Sequence, residues 1–133
     1  MFELKKIQGG RTNVFEPERY DAKTGEAITF GEALVLSSGV LTKCGATVTP
    51  THIALASVAA GDEKRSIPVG AVAHDQVYEV PLSVAPGNAV VPGAKLTISA
   101  DGLNVTATTT DGVATVVSKN GAAAAGDKIL VKF

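Results

Sequence analysis

A single cysteine, Cys44, stands in 133 residues, which excludes an internal disulfide and any paired-cysteine metal site. Tryptophan is missing, and aromatics make up only 5% of the chain. The core must therefore be built from Val, Ala, Leu and Ile. Each buried aliphatic side chain contributes about 1.5–3 kcal/mol, and alanine less. Such a core is thin, and self-association or a partner would add to it. Charge of one sign is missing too: 12 basic against 13 acidic side chains leave a net charge of −1, with no basic run. That removes the electrostatic footprint of a nucleic-acid binder. The longest apolar stretch, residues 53–60, is broken by Ser57 and closed by Gly61-Asp62, far too short to cross a bilayer. The opening residues lack the apolar core of a signal peptide. The expectation is a protein made in a cytoplasm, with no membrane partner.

What is present fits one globular domain: 45% apolar and 19% charged residues. Composition shifts near residue 27. Residues 1–26 hold five basic and five acidic side chains, and Phe2, Phe15, Tyr20 and the adjacent Phe30 are four of the six aromatics. Gly9-Gly10, Pro17 and Gly25 interrupt this stretch, and its apolar residues keep no sustained period. It is read as an extended arm, within which residues 2–5 could form one short strand. Disordered termini are usually poor in aromatics, so the arm is expected to dock on a neighbouring chain through Phe2, Leu4, Ile7, Phe15 and Tyr20.

From residue 27 to 133 the pattern is one all-β domain of short strands with turn punctuation. Strands are expected at 33–37, 40–43, 52–58, 65–69, 71–82, 95–99, 103–110, 113–118 and 128–133. Asp101-Gly102, Asp111-Gly112 and Asn120-Gly121 suit tight turns because they tolerate positive φ. The alternation of Thr106, Thr108 and Thr110 predicts a solvated strand face. The two halves repeat. Gly31, Leu34, Leu36 and Ser37 match Gly93, Leu96, Ile98 and Ser99, Gly39 matches Gly102, and Ala60-Gly61-Asp62 matches Ala125-Gly126-Asp127. The architecture expected is a small barrel- or sandwich-like body of two pseudo-repeated lobes. Lobe one spans about 27–84 and lobe two about 90–133, joined by a Pro- and Gly-rich connector.

Chemistry is sparse. His52, His74 and Cys44 stand apart in sequence and show no metal-ligand or nucleophile–base spacing. No nucleophile elbow and no phosphate-binding glycine loop occurs. Gly61, Asp62, Gly126 and Asp127 read as turn residues, each aspartate capping its own turn through backbone N–H groups. No catalytic residue, metal or cofactor is expected.

The series Gly31-Glu-Ala-Leu-Val-Leu-Ser-Ser-Gly39, then 52–62 (HIALASVAAGD), then Ile67-Pro-Val-Gly-Ala-Val72 resembles tailed-phage head decoration, or cement, proteins. The two-lobed layout closing on 125–133 is similar to a broader group of small capsid-associated phage proteins. The resemblance covers about residues 27–133. It implies a virion structural protein without catalysis that binds the outer face of the assembled major-capsid shell and stabilises it. It also implies a homo-oligomer, trimeric at local threefold positions, with the N-terminal arm engaging the shell. The alternative is a carbohydrate- or surface-binding β module such as a fibre head. That would need exposed aromatics on the body, where Tyr78, Phe30 and Phe133 are available.

Overall fold

The computed structural model describes residues 1–9 and 16–133. Those residues form ten strands and no helix. They are β1 (Glu3–Ile7), β2 (Glu18–Ala22), β3 (Ala33–Ser37), β4 (Val40–Lys43), β5 (His52–Ala54), β6 (Ser66–Ala71), β7 (Gln76–Pro81), β8 (Lys95–Leu96), β9 (Ala114–Ser118) and β10 (Lys128–Lys132). Strands β2-β4-β3-β5-β6 close into a barrel, and the remaining strands form a sheet in the order β1-β7-β10-β9-β8.

Four strands of the second sheet, β7, β10, β9 and β8, repeat the barrel's β2, β6, β5 and β3. In the barrel, β2 is antiparallel to β6, pairing Tyr20 with Ile67. In the second sheet, β7 is antiparallel to β10, pairing Val80 with Ile129. Ala54 opposite Val69 recurs as Val116 opposite Val131. Ala33 opposite Ile53 recurs as Lys95 opposite Thr115. Even the parallel contact that closes the first barrel, Ala22 beside Leu41, has its counterpart in the isolated parallel bridge of Leu82 with Val105. Residues around Val105 therefore stand where β4 stands, although they form only bridges, to Leu82 and Ile98. Most equivalent pairs lie 62 residues apart, as Leu34 and Leu96 do.

Burial follows the same register. Ala22, Ile28, Leu34, Leu41, Ala54, Ile67 and Val69 fill the first barrel. The residues at the same places in the second half, Leu82, Val90, Leu96, Val105, Val116, Ile129 and Val131, are buried as well. Alternation along β6 and β10 sends one face inward and the other out. Where the halves differ, the difference marks their junction. Ala33 and Ile53 belong to the cluster that fills the second half, whereas their counterparts Lys95 and Thr115 do not. Among the backbone bonds that cross the junction are Ala33 N–H to the Gly102 carbonyl at 2.8 Å, Ile98 N–H to the Ala46 carbonyl at 2.9 Å and Phe2 N–H to the Gly31 carbonyl at 2.8 Å.

The expected arm is corrected. β1 adds to the outer edge of β7, with Glu3 opposite Glu79 and Leu4 opposite Tyr78, and a bulge follows. β2 is a staple strand of the closed barrel. The charges of both segments point outward, and Lys5 and Lys128 both reach Glu79, at 3.4 and 3.0 Å. An unpaired edge of β7 offers hydrogen bonds that offset the ordering of β1 without any partner chain. The lobe boundary moves accordingly. Lobe one begins at β2 and ends at β6, and the turn at 72–75 separates it from lobe two. The Pro- and Gly-rich stretch taken as a connector lies inside the second lobe, where Val90 is fully buried. The strand expected at 103–110 is largely irregular, because Thr106 turns its hydroxyl to Thr97 (2.7 Å) and to the Thr108 N–H (3.0 Å). Thr108 and Thr110 are exposed as expected, while Thr106 is half-buried.

Candidate functional site

An apolar groove of about 230 Å³ opens at the junction of the lobes. One wall is β1 and β7, through Phe2, Leu4, Gln76 and Tyr78; the other is the end of the first barrel, through Leu55, Gly70 and Ala71. Pro17 and Phe30 stand at its margin. Phe30 is 48% exposed and Leu55 40%, unusual for large apolar side chains placed together. The floor is fixed by hydrogen bonds: the Gln76 carboxamide oxygen accepts the Ala73 N–H at 2.7 Å and the Tyr78 hydroxyl at 2.6 Å. Phe2 is held by its own backbone, whose N–H donates to the Gly31 carbonyl at 2.8 Å, and by the rings of Tyr78 and Phe133. A surface of this kind excludes water and offers shape and apolar contact, with few polar groups for chemistry.

The residues singled out from sequence are dispersed. Phe2 is 2% exposed and serves the chain's own core. Leu4 is half-buried against that core, and Ile7 is half-buried at the end of β1. Tyr20 packs against the first barrel's core and meets the His52 ring edge-on at 5.4 Å. Phe15 lies outside the described residues. Thus only Phe2 and Leu4 of the five line the groove. Among the turn residues, Asp127 accepts the N–H groups of Ala123 and Ala124, both at 2.8 Å, and these bonds hold its carboxyl below the ordinary range. Gly126 has φ +89°, Gly61 accepts the Gly25 N–H through its carbonyl, and Asp62 is exposed.

One polar constellation invites a catalytic interpretation. His52 bonds the Thr51 hydroxyl through Nδ1 at 2.8 Å and the Glu18 carboxylate through Nε2 at 3.0 Å. The His52 bond, with a second from Tyr20, lowers the Glu18 pKa, and the Glu18 bond raises that of Tyr20. Yet the Thr51 oxygen already accepts the Leu36 N–H at 2.8 Å, and the groove does not reach it. The trio clamps β2, β3 and β5 together. Cys44 is buried, its thiol donates to the Val48 carbonyl at 2.7 Å, and burial pushes its pKa up to about 12. His74 is exposed in the turn before β7.

No protein-family model matches the chain, and no curated protein matches it in sequence. A solved structure does. The head fiber gp8.5 N base in bacteriophage phi29 is similar in fold, with a TM-score of 0.58 over 89% of this chain and 94% of that one. Identity is 14%, so the likeness shows a shared fold and carries no residue-level role. Sequence reasoning missed Phe30 and Leu55 as a pair. Phe30 was visible as an aromatic, but Leu55 lies in what reads as a buried strand, and only the early end of β5 exposes it.

Proposed function

We propose that this chain is a structural protein of a phage head that binds the outside of the assembled major-capsid shell and stabilises it. The observation that carries this is the fold likeness to the phi29 head fiber base, which extends over nearly the whole of both chains. The sequence resemblance to head decoration proteins, drawn from residues 31–39, 52–62 and 67–72, supports the same assignment independently. The architecture suits the role. A closed barrel and a second sheet on one chain make a body ready-formed for docking, and charges scattered on its outer faces keep it soluble before assembly.

In this function the groove, with Phe30 and Leu55 at its rim, is the surface turned toward the shell or toward a second copy within a trimer. Aromatic and aliphatic side chains at the centre of a patch carry most of the energy of such contacts. Binding repeated over many equivalent shell sites makes modest single-site affinity sufficient. The former arm residues Leu4, Ile7 and Tyr20 would contribute only where they remain half-exposed. The test is co-sedimentation of the purified chain with preformed heads that lack it. Saturable binding is expected, with Leu55→Asp weakening it at least about tenfold. Failure of the wild-type chain to sediment with any head would overturn the assignment.

A further inference from the structure

The lobes meet over a carboxyl group that the lobe fold does not itself require. Glu32, just before β3, is completely buried. Its Oε2 accepts the Thr29 N–H at 2.8 Å. Its Oε1 has no hydrogen-bond partner among the described residues, and the Lys43 ammonium on β4 stops 3.9 Å away. The position 62 residues on is Ala94, and there the backbone makes the same bonds. The Ala54 N–H donates to the Glu32 carbonyl as the Val116 N–H does to that of Ala94, and the Glu32 N–H reaches Thr29 as that of Ala94 reaches Val91. An alanine is therefore enough to build this corner of a lobe. The acid belongs to the junction.

What it touches there is the hairpin turn of the second lobe. A Cβ on Gly102 would come within 2.9 Å of the Glu32 Cγ and 3.2 Å of the Ala33 carbonyl. The corresponding turn glycine of lobe one, Gly39, has open space around it. The same turn is thus free in one lobe and seated on the stem of a buried glutamate in the other. The seat is closed by the Ala33 N–H bond to the Gly102 carbonyl.

We infer that Glu32 is a proton-operated latch between the lobes: neutral, it holds the 99–104 hairpin of lobe two on lobe one, and ionised, it releases that hairpin to admit water. An ionised oxygen that accepts no hydrogen bond and whose nearest cation stands 3.9 Å away is costly at full burial, and opening the hairpin packed on Glu32 would hydrate it. The groups facing Glu32 are the Thr29 N–H from its own turn, Lys43 from β4, Glu26 from the segment ahead of β3, and Asp101 from the hairpin. Asp101 in turn lies near the Met1 amino group. Burial is the largest influence and raises the carboxyl's pKa, with Glu26 and Asp101 adding to it and Thr29 and Lys43 opposing. Because the folded value lies above the unfolded one, the contribution of Glu32 to stability is full below the unfolded value. It is lost as pH rises through the folded one.

The experiment is amide hydrogen exchange by NMR on the full chain, from about pH 4 to about pH 8, corrected for the intrinsic exchange rate. The Ala33 N–H reports the junction, and the Thr51 N–H, bonded to the Leu34 carbonyl inside lobe one, reports the barrel. In the wild type the opening at Ala33 should grow with pH, by up to about tenfold per pH unit for a single proton, then level off. Thr51 should stay flat. In Glu32→Gln, and in Glu32→Ala as the variant that copies lobe two, Ala33 should lose its pH dependence. A flat wild-type profile, an unchanged slope in both variants, or a Thr51 profile parallel to that of Ala33 would each overturn the latch.

Discussion

Leu34 and Leu96 occupy equivalent places in the closed barrel and in the second sheet. Each is fully buried, and each carbonyl accepts one N–H at 2.9 Å, from Thr51 and from Val113. Equivalent packing predicts equivalent cost. Leu34→Ala and Leu96→Ala should each destabilise the protein by about 2–5 kcal/mol through lost burial and the cavity left behind. Denaturant unfolding checks this. A loss below about 1 kcal/mol at either position would show that the lobes are alike in path but not in packing.

Phe2 distinguishes a strand from an arm. A docking arm would leave the isolated protein indifferent to its loss. Buried among Tyr78, Phe133 and the groove wall, Phe2→Ala should instead cost about 3 kcal/mol in the isolated chain. The expected result in thermal unfolding is a clear fall in Tm without any partner present. An unchanged Tm would restore the arm.

The two hairpin glycines provide an internal control. Gly39 and Gly102 have φ of +79° and +70°. An alanine at either meets the left-handed penalty, about 1–2 kcal/mol. Only at Gly102 does the new methyl also press on Glu32 and Ala33. Gly102→Ala should therefore be worse than Gly39→Ala by about 1–3 kcal/mol, the usual cost of overpacking. Equal losses would mean that the junction yields freely.

Much of the barrel was legible because its signals are local. Gly31 and Gly93 mark the same left-handed turn, and their N–H groups bond the Ala54 and Val116 carbonyls at the same 2.8 Å. Such glycines stand in register in both halves although many side chains around them differ, which makes the repeat visible from the spacing of matched residues. β1 was obscure for the opposite reason. An edge strand buries little beyond Phe2, so ELKKI reads as a charged tail, and its partners on β7 lie about seventy residues away. Pro17 and Gly25 also suggested a broken coil, although β2 fits between them. The groove was hidden altogether. It gathers Leu4, Pro17, Phe30, Leu55 and Gly70 from five separate segments, and no local pattern announces a surface made only by the meeting of two lobes.

Asp127 gives a prediction whose sign depends on pH. Its carboxylate accepts the Ala123 and Ala124 N–H groups, which lowers its pKa below the ordinary 3.8. A depressed folded pKa contributes stability above the unfolded value and loses it as pH falls through the folded value. Asp127→Ala should therefore be less stable than wild type at neutral pH, and the gap should close in acid. Denaturant midpoints measured at several pH values would show it, and a gap independent of pH would mean the turn needs no carboxylate.

Cys44 supplies a reporter of opening. With its thiol pKa pushed from 9.0 up to about 12, the folded protein carries on the order of a thousandfold less thiolate at pH 8 than an exposed cysteine would. The thiol is also buried and engaged with the Val48 carbonyl. Reaction with a thiol reagent should then proceed only through opened molecules. Its rate should rise in step with denaturant well before the main transition if the loop at 44–48 opens alone, or with global unfolding if it does not. The destabilised Leu34→Ala chain should react faster by the factor its stability loss implies when opening is global. Rapid labelling of the native protein at pH 8, at the rate of a free thiol, would show that Cys44 is neither buried nor bonded as described.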